Sequence, residues 1–304
     1  MRKWILGLAR HRAQPIRGCF RRRGLVPRPS ASFSSLVQET VTLDMEDSGK
    51  VGVLTLNRPG VLNAMTVEMG EAFQSQLSNL PDSTRCLVLT GAGRAFSAGG
   101  DLEFLYARAN DTPHSNTQEM LRFYARFLCL RDVKVPVISA INGAAVGAGL
   151  CLAMATDIRI TYNDCNLQFP FASLGLHPGM GATFFLPRVA GYEAATRLLL
   201  TGESITGAKA KELGMVSECM ERQDEVVTKA LEVASMIARN PTTGIETCLK
   251  TLRSQQDSAV NGLQGALMRE ADAQASCYAT EDLMNRLIAT TKAIAERKAA
   301  KNKK

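Results

Sequence analysis

Histidine is scarce, with three in 304 residues, and no C-x-x-C pair occurs among the eight cysteines. Neither a zinc site nor a disulfide framework is suggested, so reduced thiols in an intracellular compartment are the better reading. No apolar run reaches the ~18 residues that a membrane-spanning helix needs. No internal repeat is visible. The dinucleotide fingerprint G-x-G-x-x-G is missing too: after Gly91 and Gly93 its third glycine would fall on Phe96. The same loop holds no lysine, which excludes a phosphate loop of the Gly-Lys-Ser/Thr type.

Acidic residues are absent from residues 1–35, which carry Arg2, Lys3, Arg10, Arg12, Arg17, Arg21, Arg22, Arg23 and Arg28. These nine positive charges exceed the +7 of the whole chain and leave −2 for the remainder. The body is therefore not basic, and the net charge gives no reason to expect nucleic-acid binding. The same segment turns serine-rich at Ser30–Ser35, and Trp4, Ile5 and Leu8 can share one helical face. That is the composition of a mitochondrial transit peptide, with a plain basic arm as the alternative. The expected destination is the mitochondrial matrix.

Hydrophobic residues make up 45% of the chain, enough for a packed core. Short β-branched runs at Val41–Met45, Gly52–Leu56, Cys86–Thr90, Val135–Ile141 and Ile158–Tyr162 predict strands. Thr66 can cap a helix with Met69, Phe73 and Leu77 on one face. A polar break at Asp111–Asn116 precedes a helix expected over 117–131. Residues 167–181 read as an apolar loop. Helical patterns follow at Tyr192–Leu200, Thr206–Leu213, 221–239, 242–255 and 257–299, the last interrupted near Tyr278–Thr280. The expectation is an α/β fold with a helical C-terminal region. Its division is residues 1–35 as the disordered transit peptide, 36–240 as the core and 241–304 as the helical region.

Two glycine-rich stretches stand out. Asn142–Asp157 joins a strand, a tight turn with Gly147, Ala148 and Gly149, a buried helix and a further strand. Gly91–Asp101 joins a strand to a loop ending at Gly99-Gly100 and then to a helix. Small residues at a helix start expose unpaired backbone N–H groups and allow close approach by a polarised oxygen or a negative charge. The alternative is that they only permit tight helix–strand packing.

Three segments taken together resemble, in order and spacing, the crotonase (enoyl-CoA hydratase/isomerase) superfamily: Leu56–Ala64, Gly93–Leu102 and Ile141–Leu150. Leu174–Gly179 and Leu200–Ile205 extend the likeness, which covers about residues 40–300. The resemblance implies a crotonase-like spiral of ββα turns with a helical tail, assembled as a homotrimer or homohexamer. It implies acyl-CoA thioester substrates, with no metal and no cofactor beyond the coenzyme A of the substrate. It places the two backbone N–H donors of an oxyanion hole at Gly100 and Ala148. It places coenzyme A contacts at Val61, Leu62, Ala98, Asp101 and Leu102.

The likeness breaks where hydratases of that family carry two glutamates. The matching positions are Cys151 and Phe171, and neither side chain replaces a carboxylate in acid–base work. His177 is in the right loop, and imidazole is a side chain suited to acid–base work. Cys151 with His177 is a candidate nucleophile–base pair for thioester hydrolysis; otherwise Cys151 is a small core residue. Asp101 is better placed to cap a helix, and Glu103 to face solvent. Three readings follow: an acyl-CoA-processing enzyme that stabilises a thioester enolate, a catalytically silent acyl-CoA-binding subunit or scaffold, and a thioester hydrolase.

Overall fold

The computed structural model describes residues 39–257 and 262–301. The transit-peptide expectation falls on residues outside these. In chain order the elements begin with β1 (Val41–Glu46), β2 (Val51–Leu56), α1 (Val67–Ser78), β3 (Cys86–Gly91) and β4 (Ala95–Ser97). Next come α2 (Leu102–Ala109), α3 (Pro113–Leu128), β5 (Val137–Ala140), β6 (Ala144–Val146), α4 (Ala148–Met154) and β7 (Ile158–Tyr162). They continue with β8 (Leu167–Gln168), α5 (Ala182–Ala190), α6 (Tyr192–Thr201), β9 (Ser204–Ile205), α7 (Gly207–Glu212) and β10 (Glu218–Met220). Four helices complete the described residues: α8 (Glu225–Ala238), α9 (Thr242–Asp257), α10 (Leu263–Tyr278) and α11 (Glu281–Lys301).

A six-stranded sheet runs β1-β2-β3-β5-β7-β10, and a four-stranded sheet runs β4-β6-β8-β9. Among the described residues only β1/β2 and β8/β9 pair antiparallel. Three successive units, β3-β4, β5-β6 and β7-β8, each place one strand in the large sheet and the next in the small one, and a helix follows. This is a ββα spiral with a helical C-terminal region. Its repetition leaves no sequence period because the second strands are two or three residues long and α3 is inserted into the first unit.

Side-chain alternation in the large sheet divides the core. Cys86 and Val88 of β3 point to one face, where they meet Ala230, Ala234 and Ala238 of α8. Leu87 and Leu89 point to the other, into the main core. Alanines four residues apart let α8 lie close on the strands.

Local signals account for some boundaries. Thr66 accepts the Met69 N–H and starts α1. Gly202, at φ 64°, ends α6 in the left-handed region. The start of α3 corrects the expected polar break: Thr112 accepts the Ser115 N–H and Pro113 stands at the first helical position. The loop reading of 167–181 is corrected at its start, where Leu167–Gln168 form β8 between β6 and β9, and at Ala172–Leu174, a short 3-10 turn. The chain then enters α5 at Ala182, a helix that contains Pro187 and has no side-chain cap of its own. That helix has no local start signal, so periodicity misses it. The tail folds back on the body: α10 packs most extensively on α3, and Leu283 and Leu287 of α11 are fully buried in the main core.

Candidate active site

The first glycine loop is held by a side chain from another loop. Asn63 is buried and sits at φ 54°, beside Leu62 at φ 56°. Its Nδ2 donates to Ala92 O at 3.0 Å and to Ala95 O at 2.8 Å, and its Oδ1 accepts the Arg58 N–H at 2.8 Å. Ser97 Oγ donates to Asn63 O at 2.8 Å and accepts the Gly99 N–H at 3.2 Å. Asparagine tolerates the left-handed region, and these bonds offset the strain there.

The next residues form an extended segment beside Met65. Gly99 O accepts from Met65 N at 2.7 Å, and Asp101 N donates to Met65 O at 3.1 Å. Successive N–H groups of an extended chain point to opposite sides, so the Gly100 N–H faces away from Met65. No acceptor among the described residues takes it. A Cβ built on Gly100 meets nothing within 4 Å, so the space in front of it is open. Asp101 then caps α2 by accepting the Glu103 N–H at 2.9 Å, and Glu103 is exposed.

The second loop turns at Gly147, whose φ of 53° with ψ of −123° suits only glycine. The Gly147 N–H donates to Gln168 O at 2.9 Å, and Gly147 O accepts the Cys151 N–H at 3.0 Å. The Ala148 N–H, at the first position of α4, has no acceptor among the described residues.

The two loops touch through glycines. A Cβ on Gly99 would lie 2.6 Å from Val146 O and 3.3 Å from Ala148 N. A Cβ on Gly149 would lie 2.6 Å from Ser97 Cβ. Gly99 thus sets the Gly100 segment beside the start of α4, and the Gly100 and Ala148 N–H groups near this contact both lack an acceptor among the described residues.

The family model for enoyl-CoA hydratase/isomerase matches residues 46–300. The chain belongs to the enoyl-CoA hydratase/isomerase family. It is 35% identical over 214 residues to a 1,2-epoxyphenylacetyl-CoA isomerase of Escherichia coli K12, covering 69% of this chain and 81% of the relative. It is 31% identical over 245 residues to a short-chain-enoyl-CoA hydratase of Clostridium acetobutylicum, covering 78% and 90%. The crystal structure of an enoyl-CoA hydratase/isomerase from Mycobacterium paratuberculosis superimposes with a TM-score of 0.73 at 26% identity, covering 82% of this chain and 98% of that one. The crotonase fold follows from these matches, and the names of the relatives are consistent with an enzyme of hydratase/isomerase type.

Around the loops, Val61 is 48% exposed, Ala98 is exposed, and Leu62, Asp101 and Leu102 are half-buried. Arg58 stands 3.8 Å from Asp101 and donates to Ala64 O at 2.7 Å. Cys151 is fully buried in α4, and burial first, then the charge of Glu270, pushes its thiol well above the ordinary range. Phe171 is 8% exposed and packs in the main core. His177 is half-buried, with Nδ1 2.6 Å from Pro178 O. No hydrogen bond among the described residues joins Cys151 to His177.

Sequence reasoning missed Asn63, Ser97 and a buried polar group on α10. Asn63 was within reach, since an asparagine amid Leu62 and Ala64 in a proline–glycine loop signals a left-handed turn. Glu270 and Gln274 gave no signal, because polar residues four apart on a helix usually face water. Among the described residues there is no cluster that fits a metal ion, and no helix is long and apolar enough to cross a membrane. A cavity of about 610 Å³, lined by Leu77, Thr84, Arg85, Val133, Lys134 and Glu246 among others, lies at the N-terminal ends of β3 and β5. That is the opposite end of those strands from Gly100 and Ala148.

Proposed function

We propose that this protein processes acyl-CoA thioesters by holding the thioester oxygen, as it becomes an enolate, between the backbone N–H groups of Gly100 and Ala148. The observation that carries this reading is the meeting of the two glycine loops with both donors unpaired. An anion there gains two preorganised donors that need no rearrangement during reaction, and losing one such donor typically costs roughly 10²–10³ in rate. Coenzyme A would run past Val61, Leu62, Ala98, Asp101 and Leu102, largely along backbone. Double-bond isomerisation fits better than hydration: it needs a single base to take the α-proton and return it at the γ-carbon, for which His177 is the candidate, whereas hydration calls for two carboxylates where Cys151 and Phe171 stand. The isomerase and hydratase names of the relatives are compatible with either. A spectrophotometric screen against 2-enoyl-, 3-enoyl- and 3-hydroxyacyl-CoA thioesters tests the reading. Isomerisation of a 3-enoyl thioester is expected. Hydration at rates of order 10²–10³ per second would overturn the preference for isomerisation.

A second reading, a catalytically silent acyl-CoA-binding subunit, is favoured by the burial of Cys151 and Phe171 at both carboxylate positions. Saturable binding without turnover of any thioester in the screen would select it. Thioester hydrolysis has less support, since a raised thiol without a histidine partner is a poor nucleophile. Mitochondrial delivery rests on the composition of residues 1–35; mass spectrometry of the native protein should find a mature N-terminus near Ser30–Val37.

A further inference from the structure

The turn between His177 and Thr183 contains two consecutive left-handed residues, Met180 at φ 56° and Gly181 at φ 80°. A methionine in that region is unfavourable and persists only where its surroundings over-determine it. Here the determining groups come from outside the turn. The Glu270 carboxylate of α10, in a residue 1% exposed, accepts the Gly181 N–H at 2.6 Å, the Thr183 N–H at 2.9 Å and the Thr183 hydroxyl. Gln274, four residues later on the same helical face, donates Nε2 to His177 O at 2.9 Å. Its Oε1 accepts the Tyr124 hydroxyl of α3 at 2.7 Å. Gly179 has no room for a side chain, since a Cβ would lie 2.4 Å from Tyr124 Oη and 2.7 Å from Gln274 Nε2.

Capping α5 explains only part of this. A serine or asparagine at the start of α5 would cap it locally, yet the cap residue is Gly181 and the acceptor comes from α10. The Gln274 bond goes to the turn and not to the helix. Behind the turn is the candidate site: α4 packs on α5, and Met180 of the turn lies in the same buried core as Cys151 of α4 and Tyr124. Cys151 lies one helical turn beyond Ala148.

Resting on the oxyanion reading above, we propose that Glu270 and Gln274 are positioning residues of the candidate active site. By clamping the strained Met180–Gly181 turn behind α4, the helical tail sets the direction of the Ala148 N–H. Affinity for coenzyme A would depend little on this clamp, because the proposed coenzyme A contacts lie on other loops. Polarisation of the thioester carbonyl would depend on it strongly, since misplacing a reacting group by about 1 Å can cost ~10²-fold.

The test uses p-dimethylaminocinnamoyl-CoA, a conjugated thioester whose absorption moves to longer wavelength as its carbonyl is polarised. The unmodified full chain should bind it with a red shift. Glu270→Gln and Gln274→Leu should bind it within about threefold of that affinity but with a clearly smaller shift. Gln274→Leu leaves all three donors to Glu270 partnered and carries the test if Glu270→Gln does not fold. A full red shift in the folded variants overturns the proposal, as does a loss of affinity or melting temperature with the shift per bound thioester unchanged. Binding without any shift by the unmodified protein overturns the oxyanion reading itself, and this inference with it.

Discussion

At the scale of single residues, the two donor positions differ in how they can be removed. Gly100 has an ordinary φ and open space ahead of its missing Cβ, so Gly100→Val should fold normally and obstruct the ligand. Calorimetry with crotonyl-CoA should show affinity falling at least about tenfold, or ~1.4 kcal/mol. Ala148→Pro deletes a donor at a helical position that accommodates proline and should reduce any turnover by roughly 10²–10³. Unchanged binding by Gly100→Val would remove the glycine loops from the site. Cys151 is a test of a different kind. Burial pushes it well up, and Cys86 and Cys129 to about 12, whereas Cys248 is exposed. Iodoacetamide at mild alkaline pH should therefore label Cys248 and spare Cys151 in the folded protein; rapid labelling of Cys151 would revive a nucleophilic role. Glu270 makes a pH prediction. Desolvation raises its pKa above the usual 4.5, against the opposing bonds from Thr183 and Gly181 and the charge of Arg269. A carboxyl raised in the folded state contributes stability that is full below the unfolded value and is lost as pH rises through the folded one. The stability of the unmodified protein relative to Glu270→Gln should thus narrow as pH rises from 4.5, read from denaturant midpoints. A widening gap would reverse the sign.

At the scale of elements, α8 shows how closely a helix can depend on small residues. Ala230 and Ala234 are fully buried against Val88 and Ile138. Ala234→Leu should overpack that contact and cost about 1–3 kcal/mol, measured by chemical denaturation; a neutral result would mean that α8 can lift from the sheet freely. Helices with local caps and clean periodicity, such as α1, were legible from Thr66, Met69 and Phe73. The start of α3 was blurred because Asp111–Ser115 reads equally as a turn, and only the helical continuation shows that Thr112 is a cap. α5 was invisible because Pro187 interrupts its pattern and its N-terminal donors are satisfied by Glu270, 89 residues away from Gly181.

At the scale of the whole molecule, the described surface leaves large apolar side chains exposed. Tyr192 is 81% exposed, Leu200 70% and Met236 65%. The crotonase resemblance implies a trimer or paired trimers, and these side chains offer area for such contacts. Light scattering at micromolar concentration should give at least a trimer mass; a monomer would remove the assembly. Within one chain, the burial of Leu283 and Leu287 with Leu54 and Phe73 in a single core makes the tail part of the same folding unit in energetic terms.

Sequence by itself determined β1, β2, β3, β5 and β7, the Thr66 cap of α1 and the two glycine loops, because each depends on neighbours a few residues apart. The family resemblance that those loops carry, and not the residues by themselves, implied Gly100 and Ala148 as donors and the carboxylates missing at Cys151 and Phe171. Only the tertiary structure decided which groups meet. That Gly99 rests on Val146 and Ala148 follows from β4 pairing with β6. That Glu270 and Gln274 face inward follows from α10 docking on α3. A buried carboxylate is stable only where donors already converge, and those donors, Gly181 and Thr183, belong to a turn that no local pattern links to α10.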